Sequence, residues 1–222
     1  MKRTQPSFSR ICFDCDSTLS RIEGIDELAR DCGVGAQVKR LTNRAMDGEI
    51  PLESVYGQRL ALIRPGRAAI DALAQRYIDE RVDGVLELFS ELRRQGKPVH
   101  IISGGIRQAI LPLADYLGLP EQYVHAVDVY FDSQGVYQGF DQQSPLARSG
   151  GKAQVCRFIN SGGEAIVMVG DGQTDLEAKQ AGAFFIGFGG VVVRETVKQQ
   201  ADMYITEPSL WALAPFLVNE TC

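Results

Sequence analysis

Asp14 and Asp16, in the stretch Arg10-Ile-Cys-Phe-Asp-Cys-Asp-Ser-Thr18, are the first residues in the chain whose types and spacing offer chemistry. Both directly follow a short apolar run. Residues two apart on a strand face the same side, so extended backbone here would aim both carboxylates one way. One could then attack as a nucleophile while the other serves as general acid, with a cation suppressing their repulsion. A polar turn after a strand is the plain alternative. The same stretch contains Cys12 and Cys15, a C-x-x-C. On a strand, positions i and i+3 lie about 10 Å apart on opposite faces, which disfavours a redox pair. No second C-x-x-C supplies zinc ligands. Cys12 is expected to be a core thiol, while Cys15, between the two acids, is where thiol modification should inhibit if it is accessible.

Three further groups share this character. Ser103-Gly104-Gly105 follows the apolar run Pro98-Val-His-Ile-Ile102. Glycines there would let backbone approach an anion, and a following helix start would offer free N–H donors; a simple strand-to-helix turn reads equally well. Lys152, after Ser149-Gly-Gly151, can neutralise a phosphate as a point charge, or can be a solvated lysine. Asp171 and Asp175 follow the run Ala165-Ile-Val-Met-Val169 and open a helix, where hard oxygen ligands suit Mg²⁺. Thr174-Asp-Leu-Glu177 also fits a capping box, which accounts for Thr174 and Glu177 but not for Asp171 between two glycines. Gly187-Phe-Gly-Gly190 lacks the last glycine of a dinucleotide fingerprint, and Gly151-Lys152 lacks the frame of a P-loop.

The elements that must hold these residues follow from pattern. The three apolar runs read as buried parallel strands, and in open α/β sheets ligands bind beyond the carboxyl ends of such strands. Between the first two runs the period changes. Ile25, Leu28, Ala29 and Cys32 make one helical stripe, Val38, Leu41 and Ala45 a second, and Leu52, Val55 and Leu62 a third after Pro51; a fourth helix covers Ile70 to Ile78. These helices read as an inserted cap over residues 22–79, set into a core formed by 1–21 and 80–222. Val129-Tyr-Phe131 and Val136-Tyr137 flank a turn and predict a β-hairpin. The fold class is α/β, a parallel-sheet core with an α-helical cap and a small hairpin.

Composition excludes several functions. The 222 residues carry 23 Lys+Arg against 28 Asp+Glu, a net charge of −5, which argues against nucleic-acid binding as the main role. Purely apolar stretches are short, against the roughly 18 residues needed to span a membrane. Met1-Lys-Arg3 is followed by polar Thr4-Gln-Pro-Ser7, so no export signal is read. Five cysteines at irregular positions suit free thiols in a reducing, cytoplasmic setting. His100 and His125 are given no catalytic role; His100, within a strand run, is expected in the core.

Together, Asp14-Cys-Asp-Ser-Thr18, Glu23-Gly-Ile-Asp-Glu-Leu-Ala29, Arg59-Leu-Ala-Leu-Ile63, Ile102-Ser-Gly-Gly105, Ser149-Gly-Gly-Lys152, Gly170-Asp-Gly172 with Thr174-Asp175, and Phe185-Ile-Gly-Phe-Gly-Gly190 resemble the haloacid dehalogenase superfamily of phosphatases, and closely its phosphoserine phosphatases. The resemblance runs from about Ile11 to Ile205. It implies a Rossmann-like core and Mg²⁺-dependent hydrolysis of O-phosphoserine, the last step of serine biosynthesis. It implies that Asp14 becomes an aspartyl phosphate and that Asp16 protonates the leaving oxygen and then helps deprotonate water. Asp14, the backbone carbonyl of Asp16, and Asp171 would bind Mg²⁺, with Asp175 in support. Ser103, Gly104 and Lys152 would hold the phosphoryl group, and Gly105 and Thr174 would also be substrate-binding. Such a family also admits a homodimer.

The cap adds an argument on substrate. Arg59 falls in register with Leu52, Val55 and Leu62, and an arginine on an apolar face should seek a planar anion such as a carboxylate. Glu23 could bind an ammonium group, or could cap a helix with Ser20. Met46 could line the pocket or pack in the core. Phosphate, carboxylate and amine together describe O-phosphoserine. Phosphotransfer to homoserine and hydrolysis of another small amine phosphate share the same chemistry. The complete acid set counts against a non-catalytic phospho-ligand sensor.

Overall fold

The computed structural model describes residues 8–46, 52–160 and 162–219. Strand β1 (Arg10–Phe13) is followed by helices α1 (Gly24–Asp31), α2 (Gly35–Met46), α3 (Leu52–Ile63), α4 (Arg67–Asp79) and α5 (Val85–Arg94) before β2 (Val99–Ile106). Then come α6 (Arg107–Tyr116), β3 (Val124–Val127), the antiparallel hairpin β4 (Val129–Phe131) and β5 (Tyr137–Phe140), and α7 (Gly151–Ile159). The chain continues through β6 (Ile166–Gly170), α8 (Gln173–Leu176), β7 (Phe184–Phe188), α9 (Glu195–Gln200), β8 (Met203–Ile205) and α10 (Ala214–Leu217). The main sheet has six strands in the order β3-β2-β1-β6-β7-β8, all parallel.

This order explains why the acids converge. From β1 the chain steps outward to β2 and β3 on one side, and from β6 to β7 and β8 on the other. The direction reverses between β1 and β6, which is where a crevice opens beyond the strand ends. Phe13 pairs with Val169, so Asp14 and Asp171 leave adjacent strands at nearly the same height. Ile11, Cys12, Phe13, Val167, Met168 and Val169 are fully buried, as expected for a parallel sheet covered on both faces.

Three expected features take a different form. Ser103-Gly104-Gly105 is not a loop after the strand: β2 runs on to Ile106 and α6 starts at Arg107. The pairing with β3 shifts register between Ile102 and Ile106, so an irregular stretch of strand takes the place of a separate turn. On α3 the buried face is Val55, Tyr56, Leu60 and Ile63, while Leu62 is 41% exposed. The stripe is rotated toward Tyr56 and Leu60, which puts Leu62 at its rim and keeps Arg59 within it. On α1, Ile25, Leu28 and Ala29 are buried, but Cys32 is an exposed C-cap. The hairpin packs against α3 through Tyr56 and Phe140, whose ring centroids are 5.2 Å apart.

Candidate active site

Asp14 continues the ladder by one residue, its N–H donating to Val169 O at 2.9 Å, and the chain then bends at Cys15. Strand geometry therefore does not carry on to Asp16, and the two acids take different partners. Asp14 Oδ1 accepts the Cys15 N–H at 2.8 Å and Lys152 Nζ at 2.8 Å. Lys152, brought in by the first turn of α7, also donates to Asp175 Oδ1 at 2.5 Å. Burial works against charge on Lys152, but Asp14 and Asp175 outweigh it and hold the ammonium above its ordinary pKa. Asp175 in turn accepts the Gly172 N–H at 2.9 Å through Oδ2. Its approach depends on Gly170, where a Cβ would sit 2.2 Å from Asp175 Cγ.

Asp16 faces the helices that follow β1. Its Oδ1 accepts the Tyr77 hydroxyl at 2.6 Å and the Gly24 N–H at 3.0 Å. Gly24 must lack a side chain, since a Cβ there would lie 2.0 Å from Tyr77 Oη. Burial, followed by the charge of Asp14, pushes Asp16 up to about 6 despite both hydrogen bonds. A carboxyl that titrates near neutrality can give and take a proton at that spot. Ser103 is buried, with the Gly105 N–H bonded to its Oγ at 3.0 Å, and a Cβ on Gly105 would come within 3.3 Å of Asp16 Oδ2. This part of β2 thus lies beside the acids.

Asp14, Asp171 and Asp175 are all buried and present carboxylate oxygens within 4.8 Å of one another. Burial and the Asp14 charge push Asp171 up to about 6 and raise Asp175 well above its usual range. Lys152 and Arg194 are the cations bonded to this cluster among the described residues. A compact set of hard carboxylate oxygens of this kind could hold a metal ion.

Glu23 occupies the N-cap position of α1 but caps nothing; its Oε1 accepts the Ser17 hydroxyl at 2.8 Å. Ser20 bonds Glu80 O instead, so the capping-box alternative is absent. Partial burial and the nearby Asp16 push Glu23 up to about 7. Arg59 is partly buried, its Nε has no partner, and burial lowers its pKa. Thr174 is half-buried. Met46 ends α2, and its side chain lies outside the described residues. The capping pattern at Thr174–Glu177 is also not used: Gly172 is the N-cap of α8, and Glu177 accepts the Gly150 N–H at 2.7 Å, steadying the turn before Lys152.

Cys15 is fully buried, which removes the expected inhibition by thiol reagents in the folded protein. Cys12 is likewise a core thiol, and Cys12, Cys15, Cys32 and Cys156 are free. His100 is buried as expected. Two residues of the site went unread in the sequence. Tyr77 completes the α4 stripe Ile70, Leu73, Ala74, Tyr77, and a phenol on a buried stripe signals a needed partner. Arg194 gave no such signal: from the loop before α9 its Nε donates to Asp171 Oδ2 at 2.8 Å, and its Nη2 lies 3.5 Å from Glu23 Oε1.

The geometry agrees with what the chain is similar to. The family model for haloacid dehalogenase-like hydrolases matches residues 8–182. A phosphoserine phosphatase of Mus musculus is 44% identical over 203 residues, covering 90% of each chain. Among solved structures, a substrate-bound phosphoserine phosphatase complex aligns with a TM-score of 0.75 at 27% identity, over 96% of this chain and 100% of that one. A phospho-aspartyl intermediate analogue of phosphoserine phosphatase aligns with a TM-score of 0.74 at 28% identity, over 96% and 100%. With Asp14 after β1 and Asp175 of α8 bonded to one lysine, and Asp171 beside them at the sheet's switch point, the chain belongs to the haloacid dehalogenase-like hydrolases and, within them, to the phosphoserine phosphatase family.

Proposed function

We propose that this protein hydrolyses O-phospho-L-serine to L-serine and phosphate through an aspartyl phosphate on Asp14. The observation that carries this reading is the division between the two acids. Asp14 is ion-paired with Lys152 at the strand end, while Asp16, held by Tyr77 and Gly24, titrates near neutrality. Asp14 Oδ attacks phosphorus as the bond to the serine oxygen breaks, and Asp16 gives that oxygen its proton. Asp16, now a carboxylate, takes a proton from water whose oxygen attacks phosphorus. The bond to Asp14 breaks, and phosphate leaves with both acids restored. Phosphoryl transfer of this kind asks the protein mainly for position and charge neutralisation. Lys152 supplies part of the latter, and Ser103 and the Gly104 N–H are our further phosphoryl contacts, with Gly105 and Thr174 lining the substrate site.

Asp14, Asp171 and the Asp16 carbonyl would hold Mg²⁺, with Asp175 in support. Bound there, the ion would lower the repulsion between the anionic nucleophile and the anionic phosphate. We assign the substrate carboxylate to Arg59, whose Nε lacks a partner, and the ammonium to Glu23. Residues 22–79 act as the cap that carries both groups over a core of 1–21 and 80–222. Free thiols suit a reducing compartment, and we read the protein as cytoplasmic. Among the described residues, no helix is long and apolar enough to cross a membrane.

Phosphate release with Mg²⁺ tests this reading across phosphoserine, phosphothreonine, phosphoethanolamine and glycerol phosphate, with homoserine as a trial acceptor. Phosphoserine should be turned over best, and EDTA should abolish turnover. Equal rates on phosphoethanolamine would remove the carboxylate role from Arg59.

A further inference from the structure

Tyr56 has no part in the chemistry above, yet its hydroxyl is a buried polar atom without a hydrogen-bond partner. The residue is 4% exposed. A buried phenol normally finds a partner, because leaving one unpaired costs stability. The ring itself is well placed: it packs on Phe140 of the hairpin, and the Arg59 guanidinium stands 5.8 Å from its centroid, within cation–π range. Arg59 is one turn further along α3, on the same face, and its Nε is buried and unpartnered as well. Two neighbouring orphans on one helix face therefore await the same kind of group. The guanidinium can only donate and the phenol can donate, so the missing partner is an acceptor. Both lie within electrostatic reach of Asp16. The phosphoryl group is already provided for at Lys152 and Asp14. The acceptor left over on an amino-acid phosphate is its carboxylate.

We propose that Tyr56 is a specificity-determining residue, its hydroxyl donating a second hydrogen bond to the substrate carboxylate held by Arg59. This rests on the reading of Arg59 as the carboxylate anchor. A carboxylate accepting from a guanidinium and a phenol at once is discriminated more sharply from a substrate that lacks it, because both donors then stay buried and unpaired.

The test is Tyr56→Phe, which keeps the ring on Phe140, assayed on phosphoserine and phosphoethanolamine. The expected result is a KM for phosphoserine raised about tenfold with kcat unchanged, the usual loss for one hydrogen bond to a charged group. KM for phosphoethanolamine should stay as it was. The ligand-free variant should melt no lower than the parent, since the hydroxyl removed has no partner in the fold. In an Arg59→Lys background the effect of Tyr56→Phe should shrink, because the two donors share one acceptor. An unchanged phosphoserine preference, or an equal loss on both substrates with a lowered Tm, would overturn the proposal and leave Tyr56 a packing residue. If the parent enzyme itself does not prefer phosphoserine, the carboxylate reading of Arg59 fails and takes this proposal with it; that outcome is visible before any variant is made.

Discussion

The strand ends and the cap face treat buried polar groups in opposite ways. At the ends of β1 and β6, Lys152 bonds two carboxylates, Asp175 is further tied to Gly172, and Asp171 is paired with Arg194. On α3, Tyr56 Oη and Arg59 Nε are buried with nothing to bond. The first region is organised before any ligand arrives, which is what transition-state stabilisation by fixed charges requires. The second is organised around a group the fold does not contain. On the proposed reading, the phosphoryl chemistry belongs to a framework whose charges are already paired, and selectivity to a face completed by the substrate.

The most severe break is at Asp14, the nucleophile we propose. Asp14→Asn keeps the shape of the side chain and a carbonyl oxygen able to accept from Lys152 and the Cys15 N–H. The fold should therefore persist, with an unchanged circular dichroism spectrum. Phosphoserine turnover should fall by at least about four orders of magnitude, in line with the removal of a covalent nucleophile elsewhere. Substantial residual turnover in this variant would place the nucleophile on another residue.

The contrast between the regions is sharpened by one matched pair of variants, Lys152→Met and Arg59→Met. Both remove a cation and keep an unbranched apolar stem. Lys152→Met leaves Asp14 and Asp175 facing each other in a buried site, and breaking a buried pair from one side costs about 3–5 kcal/mol. Arg59 has no partner at Nε to strand and loses only its contact with the Tyr56 ring, so its replacement should cost no more than about 1 kcal/mol. Chemical denaturation of the ligand-free proteins measures both. A comparable loss in Arg59→Met would mean that the cap face holds itself together as the strand ends do.

What could be read in the sequence divides along related lines. The apolar runs ending in Asp14 and Asp171 were legible because strand, turn and acid are contiguous, and contiguity survives folding. The helices between β1 and β2 were legible from period, but the facing of α3 was not. Its stripe is centred by packing on the hairpin, some 80 residues later in the chain, through Phe140 on Tyr56. The run-on of β2 through Ser103-Gly104-Gly105 is set by its register with β3, which local glycine content does not encode. Tyr77 and Arg194 reach Asp16 and Asp171 from 61 and 23 residues away, so no spacing rule could pair them.

The smallest effect concerns a third polar group, away from the acids, whose one shared hydrogen bond requires a neutral ring. His100 Nδ1 and His125 Nε2 are 3.1 Å apart, which requires at least one neutral ring to accept the bond. Burial, then the neighbouring His125, lowers His100 to about 4. Its unfolded value is about 6.5, so between these limits the native state binds fewer protons than the unfolded chain. The contribution to stability is therefore whole above pH 6.5 and is lost progressively as pH falls toward 4. Its ceiling is about 3 kcal/mol, from roughly 2.5 pKa units at 1.36 kcal/mol each. Urea denaturation at pH 7 and pH 4.5 should show the parent losing more stability than His100→Gln, which cannot titrate at that position. Parallel losses in the two proteins would mean that His100 is as easily protonated in the fold as outside it, and that this pair, unlike the lysine-centred cluster at the strand ends, is indifferent to its charge.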